Sequence, residues 1–493
     1  MQRRAFLQTS LSAPAAAQPG LSERPNILLF CTDQQRFDTI RALGNEHIRT
    51  PNLDRLVSEG VAFTNAYCQT PICTPSRASF LTGCYASSLH VNRNGNAYFP
   101  AQHVPKLISR ILSEAGYDCA MVGKFHLSSS YKRVEPRLHD GYRFFEWSHG
   151  PRNDWPVEEH SYVRWLRDQG VDFQTAYGAR QFPDRPKEFN AGIAAAHHEG
   201  RWCADYACSW IAGKLAAPWF ITVNTYAPHP PFHPPPEFLE RMDPARMPLP
   251  LWGPQDAENQ ARFARVDFQS KPRDPSSYPS RMMKAAYYAQ VEFIDDCFGR
   301  VYKALEASGQ LENTLIVFTS DHGETMGDHG LTHKGCRFYE GLSHVPFIVS
   351  WPKRVRKGMR SAALVELTDI VPTLLEAAGL PLPPYLHGKS LMPIASGKDD
   401  GAKLREFARS EYHDALQMKD ATHANMLRND RYKLVHYHGH AWGELYDLEK
   451  DPNEFRNLWG ERGHLALRAE LTRQLFDAVM LTTDAGQPRV GPM

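Results

Sequence analysis

The feature that most limits what this chain can fold into is a set of short apolar runs that do not alternate. "NILLFCT" (Asn26 to Thr32), "DCAMVG" (Asp118 to Gly123), "WFITVNT" (Trp219 to Thr225), "TLIVFTS" (Thr314 to Ser320) and "PFIVSWP" (Pro346 to Pro352) are of this kind, and "VAFTNAY" (Val61 to Tyr67) is strand-like too. A strand with one wet face alternates polar with apolar residues, whereas a strand covered on both faces need not. Helical patterns separate the runs: Thr50-Pro51 opens a helix closed by Gly60, "VPKLISRILSEAG" ends at Gly116, and "DIVPTLLEAAG" ends at Gly379. This alternation predicts an α/β fold with a large, mostly parallel central sheet and helices on both faces.

The 493 residues suffice for one large domain and a smaller one. The Pro-containing "LPLPPYLHGKSLMPIASGKDDG" marks the expected boundary, with the α/β domain at 21–385 and a C-terminal subdomain at 386–493. There "RYKLVHYHGHAWGELYDL" reads as strand, turn and strand, before a terminal helix near Gly463 to Met480. A small antiparallel α+β unit is expected. Long irregular segments, chiefly Phe144 to Gly200 and Phe232 to Ser280, are of a length usually reserved for functional or mobile loops.

Lys+Arg 56 against Asp+Glu 55 leaves no basic field of the kind nucleic acid requires. No later run of 18 or more apolar residues exists, so stable membrane insertion is not expected. The start, "MQRRAFLQTSLSAPAAAQPG", places Arg3 and Arg4 before a short apolar stretch and an Ala-rich end, and resembles a twin-arginine export signal over residues 1–20. A periplasmic or secreted protein is the expectation. Nine cysteines without a C-x-x-C pair are no disulfide framework, although Cys203 and Cys208 are candidates for one bridge.

One cysteine stands out, in "YCQTPICTPSRASFLTG" (Tyr67 to Gly83). Thr74 is a helix-cap residue type, Pro75 suits a first helical position, and Gly83 lies where a helix stops, which puts Cys73 at a helix N-terminus. N–H groups and the dipole there favour a thiolate or a bound anion, and Arg77 adds a charge near the same face. Packing residue, disulfide half, metal ligand and nucleophile all remain open for Cys73 on these features.

The residues just after each strand narrow the choice, because ligands of open α/β sheets bind at the carboxyl ends of the strands. Asp33-Gln34 come after the first run, Lys124 and His126 after "CAMVG", His229 after "WFITVNT", and Asp321-His322 after "LIVFTS". The acids and the amide suit a hard cation, with His322 either a ligand or a proton donor. Arg77, Lys124, His126, His229 and Lys334 outnumber what a metal needs, which implies an anionic ligand such as a sulfate or phosphate ester.

These residues carry a family resemblance. "CTPSRASFLTG" resembles the C-x-P-S-R-x-x-x-L-T-G signature of the type I, formylglycine-dependent sulfatases of the alkaline-phosphatase-like superfamily. "GKFHL" resembles their G-K-x-H-L element and "SDHGETMGDHGLTHKG" their second metal and lysine segment; "PNILLFCTDQQ", "APHPPFHPP" and "ELYDLEKDPNEFRNL" are similar to further segments in the same order. The resemblance implies a sulfuric ester hydrolase in which a formylglycine-generating enzyme oxidises Cys73 to an aldehyde. The hydrated aldehyde has two hydroxyls: one attacks sulfur and the other drives release of sulfate. It further implies one Ca2+ held by Asp33, Gln34, the modified Cys73, Asp321 and His322. Lys124, His229 and Lys334 would hold sulfate oxygens, His126 would assist proton transfer, and Arg77 would orient the modified residue.

Gln34 departs from the second Asp common in the family, which brings Mn2+ or Mg2+ into consideration. Phosphonate monoester hydrolases on the same scaffold also carry Gln there, so a phosphonate or phosphodiester hydrolase is the alternative; the Lys124/His126 pair, typically replaced in those enzymes, speaks for sulfate. A non-catalytic binder of sulfated glycans with unmodified Cys73 is a second alternative. Export and aromatic loops such as "FFEWSHGPRNDWP" point to a sulfated carbohydrate, and His436, His438 and His440 are a candidate pocket wall.

Overall fold

The computed structural model describes residue 20 and residues 23–131, 133–150, 160–178, 193–213, 218–399, 403–418 and 422–483. All but the last residue of the expected leader lies outside them. Eight strands make the main sheet: β1 (Asn26–Asp33), β2 (Val61–Tyr67), β3 (Asp118–Gly123), β4 (Phe144–Trp147), β5 (Trp219–Pro228), β6 (Thr314–Ser320), β7 (Phe347–Ser350) and β8 (Met359–Glu366). Their order is β4-β3-β5-β1-β6-β7-β2-β8. Only β7 runs antiparallel to its neighbours; the other pairings are parallel.

β1 explains the missing alternation. Leu28 and Phe30 pack into one layer with the helices Pro51–Glu59, Glu199–Ala212 and Ser280–Ala307. Ile27, Leu29 and Cys31 face a second layer that holds the helices Cys73–Thr82, Ile108–Glu114 and Ile370–Ala377. Each such side chain taken fully out of water contributes roughly 1.5–3 kcal/mol, so both faces of the strand are under the same apolar demand.

Two local expectations are corrected. Thr74 does not cap its helix, which begins at Cys73 after Ile72. Its hydroxyl is used across the fold instead, donating to the His126 carbonyl at 2.8 Å and accepting the Gly95 N–H at 3.0 Å. Gly83 does end the helix, at φ 77° with its N–H on the Ser79 carbonyl at 2.8 Å. Cys203 and Cys208 form no bridge: all nine cysteines are free. Both sit on the helix Glu199–Ala212, and at 3.6 residues per turn a five-residue spacing turns their side chains about 140° apart.

The C-terminal sheet is antiparallel, β12-β11-β10-β9, from β9 (Ala408–His413), β10 (His423–Arg428), β11 (Tyr432–Tyr437) and β12 (Gly443–Asp447). Met426, Val435 and Tyr437 pack against Tyr67, Ile72 and Phe338 of the larger body. Leu427, Leu434 and Leu445 pack against Leu471 and Leu475 of the helix Leu465–Leu481. β11 stops at Tyr437, so His438 and His440 lie beyond the strand; the rings of His436 and His438 stack at 4.9 Å, and His440 lies 5.0 Å from Trp442.

A buried cation fastens the two bodies together. Lys433, fully buried on β11, sends its ammonium to Glu340 at 2.6 Å, Glu454 at 2.7 Å and the Phe338 carbonyl at 2.8 Å. Lys433→Ala is expected to lower stability by about 3 kcal/mol, because the buried carboxylate of Glu454 and the half-buried one of Glu340 lose the cation that offsets their desolvation. Urea unfolding followed by tryptophan fluorescence measures this, and an unchanged midpoint at unchanged slope would show that the carboxylates are satisfied without it.

Candidate active site

Four neighbouring strands, in the order β3-β5-β1-β6, run parallel and end on one edge. β1 ends at Asp33 and passes to Gln34, β3 passes to Lys124, β5 to His229, and β6 to Asp321 and His322. One side chain ties three of these ends together. Arg77, 1% exposed, donates from Nε to Asp321 at 2.9 Å, from Nη2 to Asp33 at 3.3 Å and from Nη1 to the Lys124 carbonyl at 2.9 Å. A rigid guanidinium fork can do this where a lysine cannot. Ser76 adds a bond from its hydroxyl to the Asp321 carbonyl at 2.5 Å, so the start of the helix is fixed to the sheet edge.

Cys73 therefore stands directly over the strand ends, itself 1% exposed. Its Sγ lies 2.7 Å from Lys334 Nζ, 3.2 Å from His322 Nε2, 3.7 Å from Lys124 Nζ and 3.9 Å from Asp33 Oδ1. Lys334 also donates to Gln34 Oε1 at 2.9 Å and meets His229 Nε2 at 3.0 Å. Lys124 is ion-paired with Asp33 and lies 5.2 Å from the Tyr226 ring centre. Asp33, Cys73, Asp321 and His322 each offer a donor atom within 4.8 Å of the others, and no other such group occurs among the described residues.

The electrostatics follow from burial among cations. Burial raises the Cys73 thiol pKa and Asp33 raises it further, yet Lys124, Lys334 and His322 bring it down to about 7. Burial also pushes Asp33 up, but Lys124, His229 and Arg77 outweigh it and hold the carboxyl well below its usual range. Burial drives the pKa of His126 well down, helped by His149 and Lys124, and burial with Lys334 does the same to His229. Both imidazoles are neutral near pH 7, so each keeps a lone pair to accept a proton or hydrogen bond.

Residues 25–380 of this chain match the family model described as Sulfatase. The chain belongs to the sulfatase family. It is a sulfuric ester hydrolase on an alkaline-phosphatase-like fold, and residues 327–480 also match the N-sulphoglucosamine sulphohydrolase C-terminal model. The arylsulfatase of Clostridium perfringens is 31% identical over 451 residues, covering 88% of this chain and 90% of its own. The N-acetylglucosamine-6-O-sulfatase of Bacteroides thetaiotaomicron is 29% identical over 514 residues, covering 94% and 88%. The phosphonate monoester hydrolase of Agrobacterium radiobacter superposes with a TM-score of 0.79 at 26% identity, over 93% of this chain and 96% of that one.

In this sulfatase nine of the ten residues singled out from the sequence form one contacting cluster, and His126 stands beside it. Its carbonyl accepts from Thr74, its ring meets His149 edge-on at 4.1 Å, and its Nδ1 is buried without a hydrogen-bond partner. The turn that carries it has φ 55° at His126 and is held by Glu135, whose carboxylate accepts the N–H groups of His126 at 2.7 Å, of Leu127, and of Ser128 at 2.6 Å. Glu135 escaped the sequence reading, as did Asn94, which accepts the Thr74 N–H at 3.1 Å, and Glu324, which accepts from Gln34 Nε2. Asn94 and Glu135 lie in irregular segments that carry no periodic signal. Glu324 sits inside "SDHGE", where its place after the metal-type pair was the available clue.

Proposed function

We propose that this sulfatase is exported and cleaves a sulfate monoester of a carbohydrate, with Cys73 matured to formylglycine by a separate enzyme. The proposal includes a divalent cation, calcium ahead of manganese or magnesium, held by Asp33, Gln34, Asp321 and His322. Residues 21–385 are taken as the catalytic domain and 386–493 as the subdomain packed against it. The observation that carries the reading is Cys73 itself: a buried side chain at a helix start, within 4 Å of two ammonium groups and an imidazole. A nucleophile so placed meets a sulfate ester whose oxygens need those same cations.

The donor set fits the cation. Two carboxylates, an amide oxygen and an imidazole suit a hard or borderline divalent ion. His322 Nδ1 faces the Gly323 carbonyl at 2.9 Å, and an N–H there leaves Nε2 as the lone pair on the Cys73 side. When bound, such a cation supplies Lewis-acid stabilisation of charge on the sulfate and lowers the pKa of a hydroxyl beside it. Formylglycine supplies a hydrated aldehyde as nucleophile and a built-in route for sulfate to leave.

The chain's own residues do the rest. Lys124 and Lys334 bring positive charge to the ester from two sides of Cys73, and Arg77 fixes the strand ends that carry Asp33 and Asp321. His229 orients Lys334 through Nε2, while its Nδ1 bonds to the Pro230 carbonyl. Neutral His126 is suited to take and return the nucleophile's proton. Beside it a cleft of about 210 Å³, lined by Asn94, Ser128, Ser130, Tyr131 and His149, offers hydroxyl, amide and imidazole groups that match a polyol leaving group.

The second reading, a phosphonate monoester hydrolase, is favoured by Gln34 and by the superposition on the Agrobacterium enzyme. Lys124 separates the two. Removing one preorganised cation costs about 3 kcal/mol of transition-state stabilisation, on the order of a hundredfold in rate. Lys124→Ala is expected to lower kcat/KM for an aryl sulfate by that order, with the unmutated enzyme preferring the sulfate to the matching phenylphosphonate. Both esters share a leaving group, so their ratio isolates the transferred group; preference for the phosphonate would overturn the sulfate reading.

A further inference from the structure

Gln34 is the weak point of the proposed cation site, since an amide brings no charge where a carboxylate would. Around Cys73 two carboxylates, Asp33 and Asp321, already face three cations, Arg77, Lys124 and Lys334. A divalent ion added to that set alone would meet a surplus of positive charge. The structure contains the compensation one residue further out. Glu324, 1% exposed, directs Oε2 at the Nε2 of Gln34, which is itself fully buried.

We infer that Glu324 is a positioning residue that turns Gln34 into an anionic ligand by proxy. It would do so in two ways. First, it sets the direction of the amide: the NH2 donates to Glu324, and Oε1 is left to face Lys334 at 2.9 Å, whose ammonium also lies 2.7 Å from Cys73 Sγ. The reversed amide would set oxygen against carboxylate and NH2 against ammonium. Second, it returns the missing negative charge, which makes three buried carboxylates against three cations, and it polarises the amide so that Oε1 becomes a stronger donor.

Glu324 is held firmly enough for this task. Its Oε1 accepts the Met326 N–H at 3.0 Å, its N–H bonds to the Gly341 carbonyl at 2.9 Å, and its carbonyl accepts from Arg36 at 2.8 Å. The Arg36 guanidinium is in turn paired with Asp328 at 2.8 Å and with Asp38 at 2.7 Å. The Glu324 carboxylate meets the cluster at Gln34, so its effect on the reaction passes through that amide.

The role of Glu324 rests on the proposed divalent cation, and one experiment separates the two. Calcium binding to chelator-stripped protein is measured by titration calorimetry for the unmutated enzyme, for Glu324→Gln, and for the double variant Gln34→Asp/Glu324→Gln. Loss of an outer partner of a metal ligand typically weakens binding about tenfold to a hundredfold, and that rise in Kd is expected for Glu324→Gln. The double variant moves the charge from the outer residue onto the ligand and is expected to bind within about threefold of the unmutated enzyme. A merely structural glutamate would not be rescued in this way. Should Glu324→Gln fail to fold, as judged by circular dichroism, the double variant alone decides: folded with near-native affinity it supports the inference, otherwise it overturns it. Native affinity in Glu324→Gln, or a double variant no better than the single one, overturns the inference alone. An unmutated enzyme that binds no ion overturns the cation reading and this inference together.

Discussion

Cys73→Ala is expected to lower kcat/KM for an aryl sulfate by on the order of a millionfold, about 8 kcal/mol, the scale on which loss of a covalent nucleophile acts. The fold should survive. Arg77, Ser76 and Thr74 fasten the helix to the strand ends through bonds in which the thiol takes no part. Circular dichroism and the urea midpoint should therefore stay close to those of the unmutated protein while turnover falls to background. Cys73→Ser provides the companion result, because a serine that took the sulfuryl group would have no second hydroxyl to expel it; its peptide should gain one SO3 after incubation with substrate. Turnover by pure Cys73→Ala above background would remove Cys73 from the chemistry.

The second large effect is expected at Asp321. Asp321→Asn should lose the bound cation and about ten-thousandfold in kcat/KM together, because a carboxylate supplies charge that an amide oxygen cannot. Its Oδ1 accepts the N–H groups of Gln34 at 3.0 Å and His322 at 2.9 Å, and Oδ2 carries Arg77. An asparagine can keep only part of that set, so Arg77 would be left with Asp33 as its one carboxylate partner. Elemental analysis beside kinetics reads both effects; full metal occupancy with native activity would exclude Asp321 from the site.

How far the sequence reached depends on the kind of signal. The sheet was legible because covering both faces leaves a direct mark on composition, as Ile27 to Cys31 show. The strand-end residues were legible for a topological reason: parallel strands bring Asp33, Lys124, His229 and Asp321 to one edge whatever loops lie between them. Hydroxyls were harder. Thr74 has the chemistry of a cap, and only the packing reveals that its oxygen is committed to His126 and Gly95. Glu135 and Asn94 were not legible at all, since each acts on backbone groups brought near it by loops without a repeat. Cys203 and Cys208 misled because closeness along the chain does not put two thiols on the same side of a helix, and a five-residue spacing turns them apart.

The burial of Cys73 sets an order of events in time. Every residue of the helix Cys73–Thr82 is buried, and the thiol is 1% exposed beneath Lys334 and His322. If, as proposed, a second enzyme has to grip this segment and oxidise its thiol, it could not reach the thiol once the helix has docked on the strand ends. On the proposed chemistry, maturation and folding are thus competitors for the same stretch of chain, and the first to arrive decides the outcome permanently. A molecule that folds early would be stable, correctly shaped and inert. The specific activity of a preparation would then report how long residues near 73 stayed undocked during synthesis, and slowing the docking of that helix would raise the active fraction without altering the finished site.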